Sequence, residues 1–205
     1  MARPQQDRAL KTREAIVMGA AEVFDEYGFS GASISKIMKR AGVSQGAMYF
    51  HFKSKEDLAR AVMSAQPETV IPRLGSHGLQ RIVDTTFVWA WQIQSDVLLR
   101  AGVRLTNEQD GTGVRDATPY TDWSQILEVT LREAQYDGEL RESVDVKQLS
   151  EFLVSACTGM QMYSNAVSAR QDLPERTVAM WKLLLPSIAA GRIVDSIDLD
   201  VNRLG

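Results

Sequence analysis

Apolar side chains recur at intervals of three and four along nearly the whole 205-residue chain, and nowhere does an apolar–polar alternation run long enough to stand as a strand. That periodicity predicts an all-α protein. A first helix is expected from about Thr12, with Ile16, Ala20, Val23, Phe24 and Tyr27 on one stripe, stopping at Gly28. Ser33 is placed to cap a short helix through Ile34, Ile37, Met38 and Ala41, ended by Gly42, and Ser44 to cap another through Phe50. Ser54, with an acid three residues later, opens a helix through Leu58, Ala61, Val62 and Ala65 that Pro67 should end. Pro67 to Gly78 has the composition of a connector. Beyond it, helices are expected over 79–94, 96–106, from Pro119 to Gly138, over 146–167 and over 173–190, with a loop over 107–118 carrying Gly111 and Gly113. Pro186 should bend or break the last helix. The run 146–167 is apolar on two faces, so both are expected to be covered.

With 44% apolar and 24% charged residues, the chain has enough apolar surface for one sizeable core, and a disordered or fibrous protein is excluded. No apolar run approaches the ~20 residues that span a bilayer, and residues 1 to 7 contain no apolar leader core. A cytoplasmic, nucleoid-associated protein without membrane contact is the expectation. One cysteine, Cys157, and two histidines, His51 and His77, leave no disulfide and no histidine- or thiolate-rich metal site. No cofactor is expected. A Gly-rich phosphate loop, a Gly-x-Ser-x-Gly elbow and a His-x-x-x-His pair are all missing, and His51 and Cys157 fall on unrelated helices, so the chain reads as a non-enzyme.

The net charge of -3 is unevenly spread. Residues 1 to 60 hold ten Lys and Arg against seven Asp and Glu. From Lys36 to Lys55 there are five basic residues and no acidic one, a footprint suited to a polyanion, although a solvated basic face would look the same. Three short helices, the second and third joined by a Gly-containing turn, form the helix-turn-helix arrangement that lays its last helix in the major groove. In that helix Ser44 can meet phosphate, Gln45 can pair bidentately with adenine, Gly46 permits close approach and Ala47 can touch a thymine methyl. Tyr49, His51 and Lys55 are expected as phosphate anchors, and Ser33 and Lys36 complete the candidate DNA-binding set. An ordinary three-helix subdomain with polar residues facing water fits the spacing as well.

The stretch Ala41-Gly42-Val43-Ser44-Gln45-Gly46-Ala47-Met48-Tyr49-Phe50-His51-Phe52-Lys53-Ser54-Lys55-Glu56-Asp57-Leu58, preceded by Thr12-Arg13 and the segment 20–29, resembles the TetR family of transcriptional repressors. The resemblance covers about the first 60 residues. It implies an all-α homodimer with an N-terminal DNA-binding head and a C-terminal domain that binds a ligand and dimerises through its last long helices. Gln45 stands where family members often carry lysine, which removes one cation from the groove. The corresponding division is a helix-turn-helix domain over 1–53, a connecting helix over 54–66 and a ligand-binding and dimerisation domain over 67–205.

A second resemblance lies in Leu99-Arg100-Ala101-Gly102-Val103-Arg104-Leu105, in Tyr120-Thr121-Asp122-Trp123 and in Ala65-Gln66, which look like the γ-butyrolactone autoregulator receptors of antibiotic-producing actinobacteria. It implies release from a pseudo-palindromic operator when a small diffusible signal binds, a γ-butyrolactone, butenolide or alkylfuran, with Trp123 packing on that ligand. Beside it, aromatic and polar residues on helices that look buried suit a small amphipathic ligand. The candidates are Gln66, Thr85, Trp89, Gln92, Leu105, Trp123, Thr130, Thr158, Gln161 and Met162, with Tyr163 nearby. For each except Trp123, core packing explains burial as well. Arg100 and Arg104 are either structural ion pairs or partners for a ligand carboxylate. Two rival functions are a TetR-type regulator of drugs or acyl compounds and a helical interaction protein that binds no DNA.

Overall fold

The computed structural model describes residues 3–71, 74–108 and 116–204, with side chains from Gln6 onward. The helices are α1 (Arg3–Gly31), α2 (Ile34–Ala41), α3 (Gln45–His51), α4 (Lys55–Ser64), α5 (Gln66–Val70), α6 (Gly78–Gln92), α7 (Val97–Asn107), α8 (Thr118–Tyr136), α9 (Val146–Ser168), α10 (Leu173–Ile188) and α11 (Ile193–Ser196), followed by a 3₁₀ turn over Val201–Leu204. Among the described residues there is no strand, only a bridge between Leu140 and Ala189. The chain divides into two compact units: Met1–Thr69 with Asp96–Pro119, and Val70–Ser95 with Tyr120–Gly205. Gly111 and Gly113 lie outside the described residues.

In the first unit, α1 supplies Ile16, Ala20, Ala21, Val23 and Phe24, all essentially inaccessible, to a core completed by Ile37 of α2, Met48 of α3, Leu58 and Val62 of α4, and Ala101 and Leu105 of α7. Helix α1 begins nine residues before Thr12, because Arg8 and Lys11 tolerate helix well and Thr12 bonds back to the Arg8 carbonyl instead of capping. It crosses α2 at Gly19, where an added Cβ would stand 2.9 Å from the Ala41 Cβ. The capping reading holds at Ser33, Ser44 and Ser54, which accept from the amides of Lys36, Ala47 and Asp57. Gly42 closes α2 in the left-handed region at φ 65°. The reciprocal half of the capping box is displaced by one residue, since Asp57 accepts from the Lys53 amide. Pro67 does not end α4. The helix stops at Ser64, and Pro67 sits in the first turn of α5, where its missing N–H costs nothing.

In the second unit, α6 is buried without interruption from Ile82 to Ala90. Several of its polar side chains find partners: Thr86 accepts from the Trp181 indole at 2.8 Å, and Trp91 donates to the Val201 carbonyl at 2.9 Å. Asp84 accepts from Ser76, Gln80 and Arg203. Gln80 also exchanges two bonds with the Asp198 backbone. The segment beyond Ala190 thus straps α6, an element the periodicity did not show. Helix α10 runs through Pro186 and ends two residues later, so the break falls where the helix stops anyway. On α9 one face is buried through Leu149, Leu153, Gln161 and Ser164, but Phe152, Tyr163 and Val167 are at least half exposed. The expectation that both faces are covered fails within one chain, because apolar periodicity cannot separate burial by the same chain from burial by another.

At the α9–α10 corner Asp172 is held by Arg176 at 2.6 Å, by Ser164 at 2.5 Å and by Ser168 at 2.7 Å. The Arg176 guanidinium first, then the two hydroxyls, keep its carboxyl far below the usual carboxylate range. A depressed folded value means that the stabilisation is present above pH ~4 and drains away as pH falls below it. Asp172→Asn should therefore flatten the loss of melting temperature between pH 6 and pH 3, measured by circular dichroism. Arg203→Ala removes the cationic partner of buried Asp84 and should lower unfolding stability by about 2 kcal/mol in urea titration.

Candidate DNA-binding head and ligand site

Helix α3 turns Met48 fully into the core, and this fixes what the rest of the helix shows to solvent. Ser44, Gln45 and Gly46 are exposed, Ala47 and His51 are half-buried, and Tyr49 is 47% exposed. Phe50, two positions past Met48 on the opposite side of the wheel, is 79% exposed and meets His51 edge-on at 5.0 Å. Phe50 was not among the candidates; the buried Met48 signals its outward direction. Ser33 and Ser44 spend their hydroxyls on caps. Lys36 lies 3.9 Å from the Tyr27 ring and donates to the Gly31 carbonyl, while Lys55 donates to the Phe29 and Ala32 carbonyls at 2.9 and 3.2 Å. These contacts hold both side chains in fixed positions. Arg40 is tied to Glu22 and Glu26, whereas Lys39 and Lys53 are exposed.

The ligand candidates divide between the two units. Gln66 and Leu105 belong to the first: Leu105 is in the α1 core, and Gln66 is buried with its amide on Met63 O at 3.0 Å. In the second, Thr85, Trp89 and Gln92 form one buried stripe of α6. Thr85 satisfies its hydroxyl on the Arg81 carbonyl. Trp123 is half-buried on α8. Thr158 and Met162 line a groove of about 850 Å³ between α8 and α9 with Tyr120, whose phenol burial pushes up in pKa and keeps protonated. Thr130 lines a different groove with His77 and Arg81. Arg100 grips the Asp25 carboxylate at 2.8 Å, and Arg104 pairs with Glu108 at 2.6 Å, which settles both as structural ion pairs.

Two buried amides are incompletely satisfied. Gln92, 5% exposed, has no hydrogen-bond partner for either its oxygen or its nitrogen, and the Gln161 nitrogen is likewise unpaired. Such groups cost free energy in an empty protein. Burial pushes the Cys157 thiol up to about 12, so it is no nucleophile at neutral pH. No group of three or more metal-ligating side chains exists among the described residues.

The pattern for bacterial regulatory proteins of the tetR family matches residues 16–62, and that for the tetracyclin repressor-like C-terminal domain matches residues 76–190, more than half the chain. The chain belongs to the TetR family. It is 38% identical to the A-factor receptor protein of Streptomyces griseus over 193 residues, 94% of this chain and 69% of that one. TylP, a TetR regulator from Streptomyces fradiae, superimposes with a TM-score of 0.88 at 38% identity, covering 96% of this chain and 95% of that one. A γ-butyrolactone receptor described as ArpA-like superimposes with a TM-score of 0.67 at 30% identity, covering 96% and 97%. The all-α fold and the resemblance of the head are thereby borne out. Gln92→Met, close in volume and free of polar atoms, should raise the melting temperature of the ligand-free protein by a few degrees in differential scanning calorimetry, corresponding to about 1 kcal/mol.

Proposed function

We propose that this TetR protein is a transcriptional repressor that leaves its operator when it binds a small diffusible signal of the γ-butyrolactone, butenolide or alkylfuran type, and that it governs antibiotic or other secondary-metabolite genes. The observation that carries this reading is the likeness to the A-factor receptor along nearly the whole chain, C-terminal half included, where TetR proteins ordinarily diverge. It acts by binding, with no catalytic step, in the cytoplasm on the nucleoid. No described helix is long and apolar enough to cross a membrane.

In the head, Gln45 and Ala47 read base edges, Gly46 lets the backbone approach, and Ser44, Tyr49 and His51 contact phosphates. Ser33, Lys36 and Lys55 set the position of this surface, and the two lysines add positive potential. Two copies place their α3 helices in successive major grooves about 34 to 36 Å apart on a pseudo-palindrome. The exposed apolar residues Phe152, Tyr163, Val167 and Leu183 on α9 and α10 support a homodimer, since a free chain would leave them in water. On the ligand side, Trp123 packs on the alkyl chain or ring of the signal, and Gln66, Thr85, Trp89, Gln92, Thr158, Gln161 and Met162 remain the candidates to enclose or orient it, whereas Leu105 belongs to the α1 core and Thr130 to another groove. Release follows only if the signal binds the released form more tightly than the DNA-bound form.

A gel shift with the DNA upstream of its own gene tests the reading, followed by titration with synthetic lactones, butenolides, alkylfuran carboxylates and unrelated hydrophobes. Binding to the fragment and release by one of the first three classes is the expected result. Absence of binding at low salt would favour an interaction protein, and release by drugs or acyl compounds alone would favour another TetR ligand class. Trp123→Ala should keep operator binding within about threefold and lose release at normal ligand concentrations. Gln45→Ala should relax preference at one base position at a cost of about 1–3 kcal/mol.

A further inference from the structure

Gly28 interrupts α1 with φ 67° and ψ 179°, a backbone setting open to glycine and costly for residues with a Cβ. At this interruption two backbone groups, the Asp25 carbonyl and the Phe29 amide, meet side chains of another segment. Both are taken up from α7. The Phe29 N–H donates to Glu108 Oε2 at 3.1 Å, and Arg104 Nη1 donates to the Asp25 carbonyl at 2.6 Å. Arg104 Nε and Glu108 Oε1, 2.6 Å apart, join these two contacts into one fork. A Cβ on Gly28 would stand 2.8 Å from Arg104 Nη2 and 2.9 Å from Glu108 Oε2, so the fork lies directly against the break.

The same residue is held from its other side. The Phe29 carbonyl accepts from Lys55 Nζ at 2.9 Å, the ammonium lies 4.2 Å from the centre of the Phe29 ring, and that ring stacks on Phe24 at 6.0 Å. Phe29 therefore carries α7 on its amide and the first residue of α4 on its carbonyl. The opposite side of α7 meets Gln66. At Gly102 an added Cβ would stand 2.6 Å from the Gln66 Cγ, and Gln66 Nε2 lies 3.5 Å from Thr106 Oγ1. Helix α7 is thus wedged between a candidate ligand residue and the break in α1.

We propose that Arg104 and Glu108 are positioning residues that carry the ligand state to the head: a signal that displaces Gln66 shifts α7, the fork moves the Phe29 peptide, and Lys55 passes that movement to α4. The inference rests on the ligand-released repressor reading and names its route. A fork of short charge-assisted bonds is either engaged or broken, which makes a small shift of α7 into a two-state change at the start of α4.

The test uses the full-length protein, its upstream DNA fragment and a synthetic γ-butyrolactone with a medium-length alkyl chain. In the wild type the lactone should weaken operator binding by about 10- to 100-fold. In Glu108→Ala that factor should fall to less than about threefold, and in Glu108→Gln, which keeps the oxygen facing Phe29 but loses the charge that fixes Arg104, to an intermediate value. Glu142→Ala, an exposed carboxylate between α8 and α9, should keep the wild-type factor. Amide exchange gives a second readout, independent of any variant: Phe29 should be at least about tenfold better protected with operator than with lactone. A full release factor in both Glu108 variants, or equal Phe29 protection in the two states, overturns the route while leaving the repressor reading intact. A wild type that binds the fragment but ignores the lactone overturns that reading and the route with it.

Discussion

The N-terminal unit depends on the burial of one stripe of α1. Ile16, Ala20, Val23 and Phe24 are removed from water by α2, α3, α4 and α7 together, and each large side chain contributes roughly 1.5–3 kcal/mol. The dependence is strong because the other helices of the head are short: eight, seven and ten residues in α2, α3 and α4. Helices of that length do not persist alone in water. Helix α3 therefore presents Gln45 and Tyr49 outward only because Met48 is held inward against α1.

Much of this was legible because local chemistry decides it. Ser33, Gly42, Ser44 and Ser54 punctuate the head by capping rules that need no tertiary information, and the stripe from Ile16 to Phe24 fixes the buried side of α1. The points that escaped depend on packing between distant segments. Pro67 has two permitted meanings, stop or start, and nothing local chooses between them. The strap that joins Arg203 to Asp84 and Val201 to Trp91 spans more than a hundred residues of sequence, and its bonds follow no periodicity. Arg100 and Arg104 leave a ligand role open beside the ion-pair reading until Asp25 and Glu108 are seen beside them. On α9 the exposed Phe152, Tyr163 and Val167 look like core in sequence, because helical periodicity shows an apolar face but not what covers it.

The polar interior separates structural from receptive groups. Thr86 and Asp84 are buried, Trp91 is half-buried, and all three are hydrogen-bonded, so they specify how α6 seats against α10 and the C-terminal segment. Gln92, on the same helix, is equally buried and engages nothing. A protein built only to be stable would carry an apolar residue there. On the proposed reading, the amide is kept to meet a polar group of the signal, and part of the folding free energy is recovered when the signal binds.

The central claim is that DNA and signal compete through one protein equilibrium, and linkage makes it measurable. Titration calorimetry of a releasing lactone into free protein and into the protein–operator complex gives two affinities whose ratio must equal the factor by which the same lactone weakens operator binding. The account predicts that the lactone binds the operator complex more weakly by that factor. Equal lactone affinity with and without operator would contradict it.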